Sequence, residues 1–297
     1  MRIAILSTNK VISASELIVA TLRTDLVPVP VSVEFAVKHT KELEQQLVYG
    51  AELLVTDIPH SFEIVYANPI KSQTIKEDGR IGGISCIAVL KGCKKLLSFA
   101  SNATILEQTS FNAAYRACGA SNIRLGEDIP LPEFICLKGR LPTERLALYL
   151  QQEAAVICFK NLKISALKLD AIFKQDTVLK LDPSEIQLID SKVLEKHQKS
   201  SYVAVETDGS TIGDDTTTQG QSVIQKAGLD ARQLKNLEKV LIPRGIVHRP
   251  INFELNAGDL VEIDKKNYVI LTAAHHVETG AIGGNVGSET KLWLASL

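Results

Sequence analysis

The run VPVPVSVEFAV constrains this chain most, because Val29, Val31, Val33, Phe35 and Val37 recur at every second position. Side chains of an extended strand point to opposite faces in turn, so the spacing predicts a strand with one buried face. Pro28 and Pro30 bring no amide hydrogen to a ladder, which predicts that the strand enters from a sheet edge. The segments AELLVTDI, SFEIVYA, GGISCIAVL and KKLLSFAS read as four further strands. Turn-rich NPIKSQ and KEDGRIGG separate them. Thr40 is expected to cap a short helix in KELEQQLVYG, which Gly50 ends.

After about residue 100 helices join the pattern. QTSFNAAYRACGA reads as a helix capped by Thr109 or Ser110 and stopped by Gly119. EFICLKG, after Pro130 and Pro132, reads as a strand. RLPTERLALYLQQEA is the clearest helix: Pro142 occupies its first turn, and Leu146, Leu150 and Ala154 form one face beside Tyr149. AAVICF reads as a buried strand, and KISALKLDAIF has mixed character. Residues 176–200 are polar and end in a charged stretch, where a domain boundary is expected. Residues 210–222, STIGDDTTTQGQS, read as a loop. KVLIPRGIVHRP, GDLVEID, NYVILTAAHH and TKLWLASL then follow as closely spaced strands with glycine-rich turns, the spacing of a small barrel or sandwich. The expected fold is therefore β-rich α+β in three parts. A barrel-like domain over 1–100 and another over 201–297 flank a mixed α/β domain over 101–200.

Composition excludes several classes of function. At 297 residues, with 45% hydrophobic and 23% charged residues, the chain has material for two or three globular cores. A net charge of −1 gives no electrostatic case for binding nucleic acid or an anionic membrane. No stretch approaches the roughly 20 apolar residues of a membrane span. MRIAILSTNK lacks the apolar core and cleavage site of a signal peptide. The five cysteines, Cys86, Cys93, Cys118, Cys136 and Cys158, sit in apolar runs such as ISCIAV and VICF. They are expected to be buried free thiols in a protein made in a reducing cytosol.

Each candidate for chemistry has a simpler structural reading. His275 and His276 adjoin in a predicted strand with His248 nearby, but neighbours in a strand face opposite ways and cannot easily chelate one ion. Asp214 and Asp215, with Asp208 upstream, lack the spacing and closing glutamate of a calcium loop, and read as a solvated turn. The glycines from Gly79 to Gly83 precede an apparent strand rather than a helix, which favours a hairpin or bulge over a phosphate loop. RIAILSTNK followed by SASELIVATL imitates the first strand–loop–helix of a nucleotide-binding fold, and Ser13 with Glu16 fits a capping box. The STNK loop has no glycine to admit phosphates, and IVATLR also alternates as a strand. No catalytic, cofactor-binding or metal-ligating residue is assigned, and no cofactor is expected.

Three segments together carry a resemblance: Thr24–Val37, a proline-broken strand; Ser110–Phe159, a helix, a strand, a helix and a buried strand; and Leu241–His276, where a Gly258–Asp259 turn precedes two strands. They resemble the hub family of contractile bacteriophage tails and related injection machines. The third segment also resembles small phage head–tail joining proteins. The hub resemblance implies a non-enzymatic virion protein of the tail, assembled in the host cytoplasm. It implies a homo-oligomer, a trimer, whose barrel-like domains form a pseudo-sixfold ring, with tail tube and spike or other baseplate proteins as partners. The alternatives are a head–tail connector, or an α/β enzyme or small-molecule binder using the N-terminal strand–loop–helix.

Overall fold

The alternation in the first hundred residues produces strands packed on one apolar face. A computed structural model describes residues 1–56, 58–70, 75–76, 79–80, 82–189, 200–213, 223–283 and 286–297. Its N-terminal strands are β1 (Ile3–Ile5), β2 (Lys10–Val11), β3 (Leu17–Asp25), β4 (Val31–Lys38) and β5 (Glu52–Val55), then β6 (Ile58–Ile70), β7 (Ile75–Lys76), β8 (Gly79–Arg80) and β9 (Gly83–Leu90). Val31, Val33, Phe35 and Val37 of β4 are buried and Glu34 is exposed, as the period predicts. The expected edge entry is not observed. Pro28 and Pro30 lie in the connection between β3 and β4, closed by the Asp25 N–H donating to Pro30 O at 2.9 Å. Their missing donors interrupt no ladder, and β4 runs inside the sheet between β3 and β9.

Two local readings are resolved by burial. The Glu16 carboxylate accepts from the Ser13 N–H at 3.0 Å and the Ser13 hydroxyl at 2.8 Å, as in a capping box. The chain nevertheless continues as β3, whose Ala20, Leu22 and Thr24 are buried on one face. Helix α1 (Lys41–Gln46) is capped by the Thr40 hydroxyl, which accepts from the Leu43 N–H at 3.1 Å. KKLLSFAS is not a strand: Lys94–Leu97 is a single 3-10 turn. Leu96 is its buried residue, while Leu97 and Phe99 are exposed, so the run has no alternating face to bury.

The middle of the chain holds two β ribbons and its longest described helix. Strand β10 (Thr104–Ser110) pairs with β11 (Pro130–Cys136), and β12 (Ala155–Lys160) pairs with β13 (Lys163–Lys168). Helix α2 (Phe111–Ala117) starts at Ser110, whose hydroxyl accepts from the Ala113 N–H, and is followed by Gly119 at φ +108°. Helix α3 (Pro142–Gln152) buries Leu146, Tyr149 and Leu150, and α4 (Leu169–Ile172) closes the region. The Tyr115 hydroxyl, fully buried, donates to Pro28 O at 2.6 Å and ties α2 to the β3–β4 connection. One apolar core accordingly runs from Ile3 to Ala166.

The last part adds β14 (Thr177–Leu181), β15 (Ile186–Leu188), β16 (Ser201–Val205), β17 (Thr211–Gly213) and β18 (Val223–Gln225). Helix α5 (Ala231–Leu237) follows, then β19 (Ile242–Arg249), β20 (Leu260–Ile263), β21 (Lys266–Thr279) and β22 (Val286–Ser296). A second core gathers Leu181, Val247, Leu255, Ile270 and Leu292. Strand β21 joins the two ends of the chain: Thr272–Glu278 pairs antiparallel with Val19–Asp25 of β3. Among the described residues, thirteen strands thus form one curled half-barrel, ordered β15-β19-β22-β21-β3-β4-β9-β6-β5-β1-β2, with β20 and β14 branching from β21. The fold is β-rich α+β.

Candidate assembly interface

The chemical candidates are absorbed into the fold by neighbours that the sequence placed far away. The STNK loop is a tight hairpin turn between β1 and β2, with Asn9 at φ +53°. The Lys10 ammonium lies 3.1 Å from Glu16 and 2.9 Å from Glu42, and these hydrogen bonds, Glu42 first, raise its pKa. The chain after this loop continues into strand β3 rather than into a helix. The strand–loop–helix premise of a nucleotide site is therefore overturned.

The adjacent histidines do face apart. His275 is buried, with Nδ1 2.9 Å from the Thr290 hydroxyl and Nε2 3.1 Å from Leu255 O. A carbonyl only accepts, so in the neutral ring Nε2 carries the proton and Nδ1 accepts from Thr290. Thr290 Oγ1 in turn accepts from the Asn252 N–H at 2.8 Å. His276, half-buried, instead contacts the Thr21 hydroxyl at 2.9 Å. His248 pairs with Glu289 at 3.0 Å, and this hydrogen bond holds the Glu289 carboxyl below its usual value. Asp208 accepts from the N–H and hydroxyl of Ser210 in an exposed turn, while Asp214 and Asp215 lie outside the described residues. Among the described residues, no group of three or more His, Cys, Asp or Glu could hold a metal ion.

The glycine run leads into a strand, as expected. Gly79–Arg80 pairs with Ile75–Lys76, and Gly83 opens β9. A Cβ on Gly83 would stand 2.9 Å from Val37 O, so the close approach of β4 and β9 explains that glycine. The cysteines are free thiols: Cys86, Cys93, Cys136 and Cys158 are buried and Cys118 is half-buried. Burial pushes Cys86 and Cys118 up to about 12 and Cys93 and Cys158 to about 11. Among the described residues, no helix is long and apolar enough to cross a membrane.

What the molecule does offer is unfilled backbone and apolar surface. Among the described residues the main path of the half-barrel ends at the edges β2 and β15, and its side branch ends at β14. Val11 on the first is 53% exposed, and Leu188 on the second is 72% exposed. Open edges bearing exposed apolar side chains template pairing with another chain. The sequence reading missed β15, whose three residues sit in a polar stretch with no alternation long enough to register. It also missed the sheet β17-β16-β18 and helix α5. The Asp230–Gln233 capping box was the legible signal for α5: each side chain accepts from the other residue's N–H.

This architecture has solved relatives. The tail protein from Neisseria meningitidis MC58 superposes with a TM-score of 0.65 at 10% identity, over 99% of this chain and 95% of that one. The 43 kDa tail protein of prophage MuSo2 from Shewanella oneidensis gives 0.62 at 10% identity, with the same coverage. An E. coli component of the type VI secretion system, which exhibits structural similarity to the T4 bacteriophage tail proteins gp27 and gp5, gives 0.53 at 8% identity, over 95% and 74%. The chain has a phage tail-protein fold. No family model matches the sequence, and no curated protein is significantly similar to it. The likeness therefore lies in the overall fold rather than in the sequence.

Proposed function

We propose that this chain is a structural, non-enzymatic component of a phage or phage-like tail. Its position is the baseplate hub, where copies assemble into a ring that joins tail tube to spike. The observation that carries the reading is the superposition along nearly the whole of both chains on a Neisseria tail protein. The relation to a secretion component that itself resembles gp27 and gp5 favours the hub over other tail positions.

The edges β2 and β15 are surfaces through which such a ring would close, because a head-to-tail contact between unlike edges generates a closed ring when its rotation permits. The division into 1–100, 101–200 and 201–297 is retained as a proposal for modules, with the outer two meeting along β3 and β21. The proposed location is the tail of the virion, after assembly in the host cytoplasm. Light scattering on the purified chain tests the reading. A trimer should give about three times the 32.4 kDa chain mass. A monomer at all concentrations, stabilised by a nucleotide, would sink it.

A further inference from the structure

The ribbon β10–β11 has an inner face, an outer face and two edges, and only part of this is used within the chain. Leu106, Leu131, Phe134 and Cys136 turn toward the core. The edge of β11 is closed by α3: the Ile135 N–H donates to the Tyr149 hydroxyl at 3.0 Å, and Ile135 O accepts from Arg145 Nε at 2.9 Å. The edge of β10 has no such cover, since among the described residues β10 pairs with β11 alone. On the outer face Ile105 opposes Ile135, and Glu107 opposes Glu133. Ile105 is 61% exposed, and Leu137 is exposed beyond Ile135.

The acidic pair is the informative feature. Like charges directly opposite across a strand pair are destabilising. Neither Glu107 nor Glu133 has a cation or hydrogen-bond partner among the described residues. Protecting an open edge from aggregation needs a charge on β10, which Glu107 supplies; it does not need Glu133 opposite. A second copy is a poor occupant, because symmetric β10–β10 pairing would bring four carboxylates together. The same charge disfavours nucleic acid and anionic lipid.

We propose that β10 is a docking edge for an extended segment of a partner protein that carries apolar and basic side chains on one face. The segment adds as a third strand along Thr104–Glu107, up to the ladder break at Gln108, where φ is +44°. Its apolar residue lies beside Ile105, and a lysine or arginine two positions on neutralises Glu107 and Glu133. This contact stands apart from ring formation, because it takes a basic partner rather than another copy.

The test uses the full chain and a fluorescent peptide of Val-Thr-Lys-Thr repeats, with a control carrying glutamate for lysine. The lysine peptide should bind. Its affinity should fall about tenfold when Glu107→Gln and Glu133→Gln are combined, and by a similar factor at high salt. Glu133→Lys should abolish binding while raising the melting midpoint by about 1–3 °C, since it replaces repulsion with an ion pair. Equal binding of the glutamate peptide, no binding of either, or no effect of the variants would overturn the proposal. Self-association that is lost on Glu133→Lys would place a second copy on the ribbon, and would overturn it too.

Discussion

Replacing Arg232 with alanine should loosen the last third of the chain locally. Arg232 lies on α5 and holds Glu153, just past the end of α3, through Nη1 at 2.6 Å and Nη2 at 2.9 Å. Lys168 adds a third contact at 2.7 Å, and the Asn236 side-chain amide donates to Gln152 O. Glu153 is 3% exposed, whereas the arginine side chain is 50% exposed. Breaking a fully buried pair costs about 3–5 kcal/mol. The exposed guanidinium is already solvent-screened and Lys168 remains, so the loss should be about 2 kcal/mol. At 1.4 kcal/mol per tenfold, amide hydrogens of α5 and β16 should exchange about 30-fold faster. Those of β3 and β4 should keep their rates. Arg232→Lys should recover only part, since an ammonium cannot reproduce the two-pronged contact. Unchanged exchange in Arg232→Ala would mean that the ion pair does not hold α5, and would assign its docking to buried Leu234.

Acid should act on the same contact. Burial raises the Glu153 pKa, but hydrogen bonds from Arg232 and Lys168 outweigh it and hold it below the usual value. Its stabilisation is thus present above the unfolded value of about 4.3 and lost as pH falls through the lower folded one, which exchange measured across that window will read. Thr290→Val should cost about 1–3 kcal/mol in urea unfolding at unchanged m, because it removes the hydroxyl that bonds His275 Nδ1 and accepts from the Asn252 N–H. Thr290→Ser should cost less. The native thiols should react with a disulfide reagent at pH 8 about 100-fold more slowly than those of the unfolded chain, given the raised values at Cys86, Cys93, Cys118 and Cys158. A fast native phase would contradict their burial.

Local features were legible where one face of an element is buried. Val31 to Val37, the Pro142 helix and the Ser110 cap follow from spacing and chemistry within a few residues. The prolines misled because a missing donor marks a turn as readily as an edge. KKLLSFAS misled because its apolar residues serve different surfaces. Pairings across the chain were not legible at all: β3 meets β21, and Glu153 meets Arg232, only after the fold has closed. The docking edge was hidden similarly, since Glu107 and Glu133 become opposed only through the register of β10 with β11. The resemblance to phage tail proteins supplied the β-rich class of fold but none of these pairings.

The proposed function requires copies of this chain to assemble into a ring. Electron microscopy of the purified chain, averaged without imposed symmetry, tests it most directly. Hollow rings with threefold symmetry are the predicted result. A field of single, unassociated particles under conditions where the chain is folded would contradict the claim.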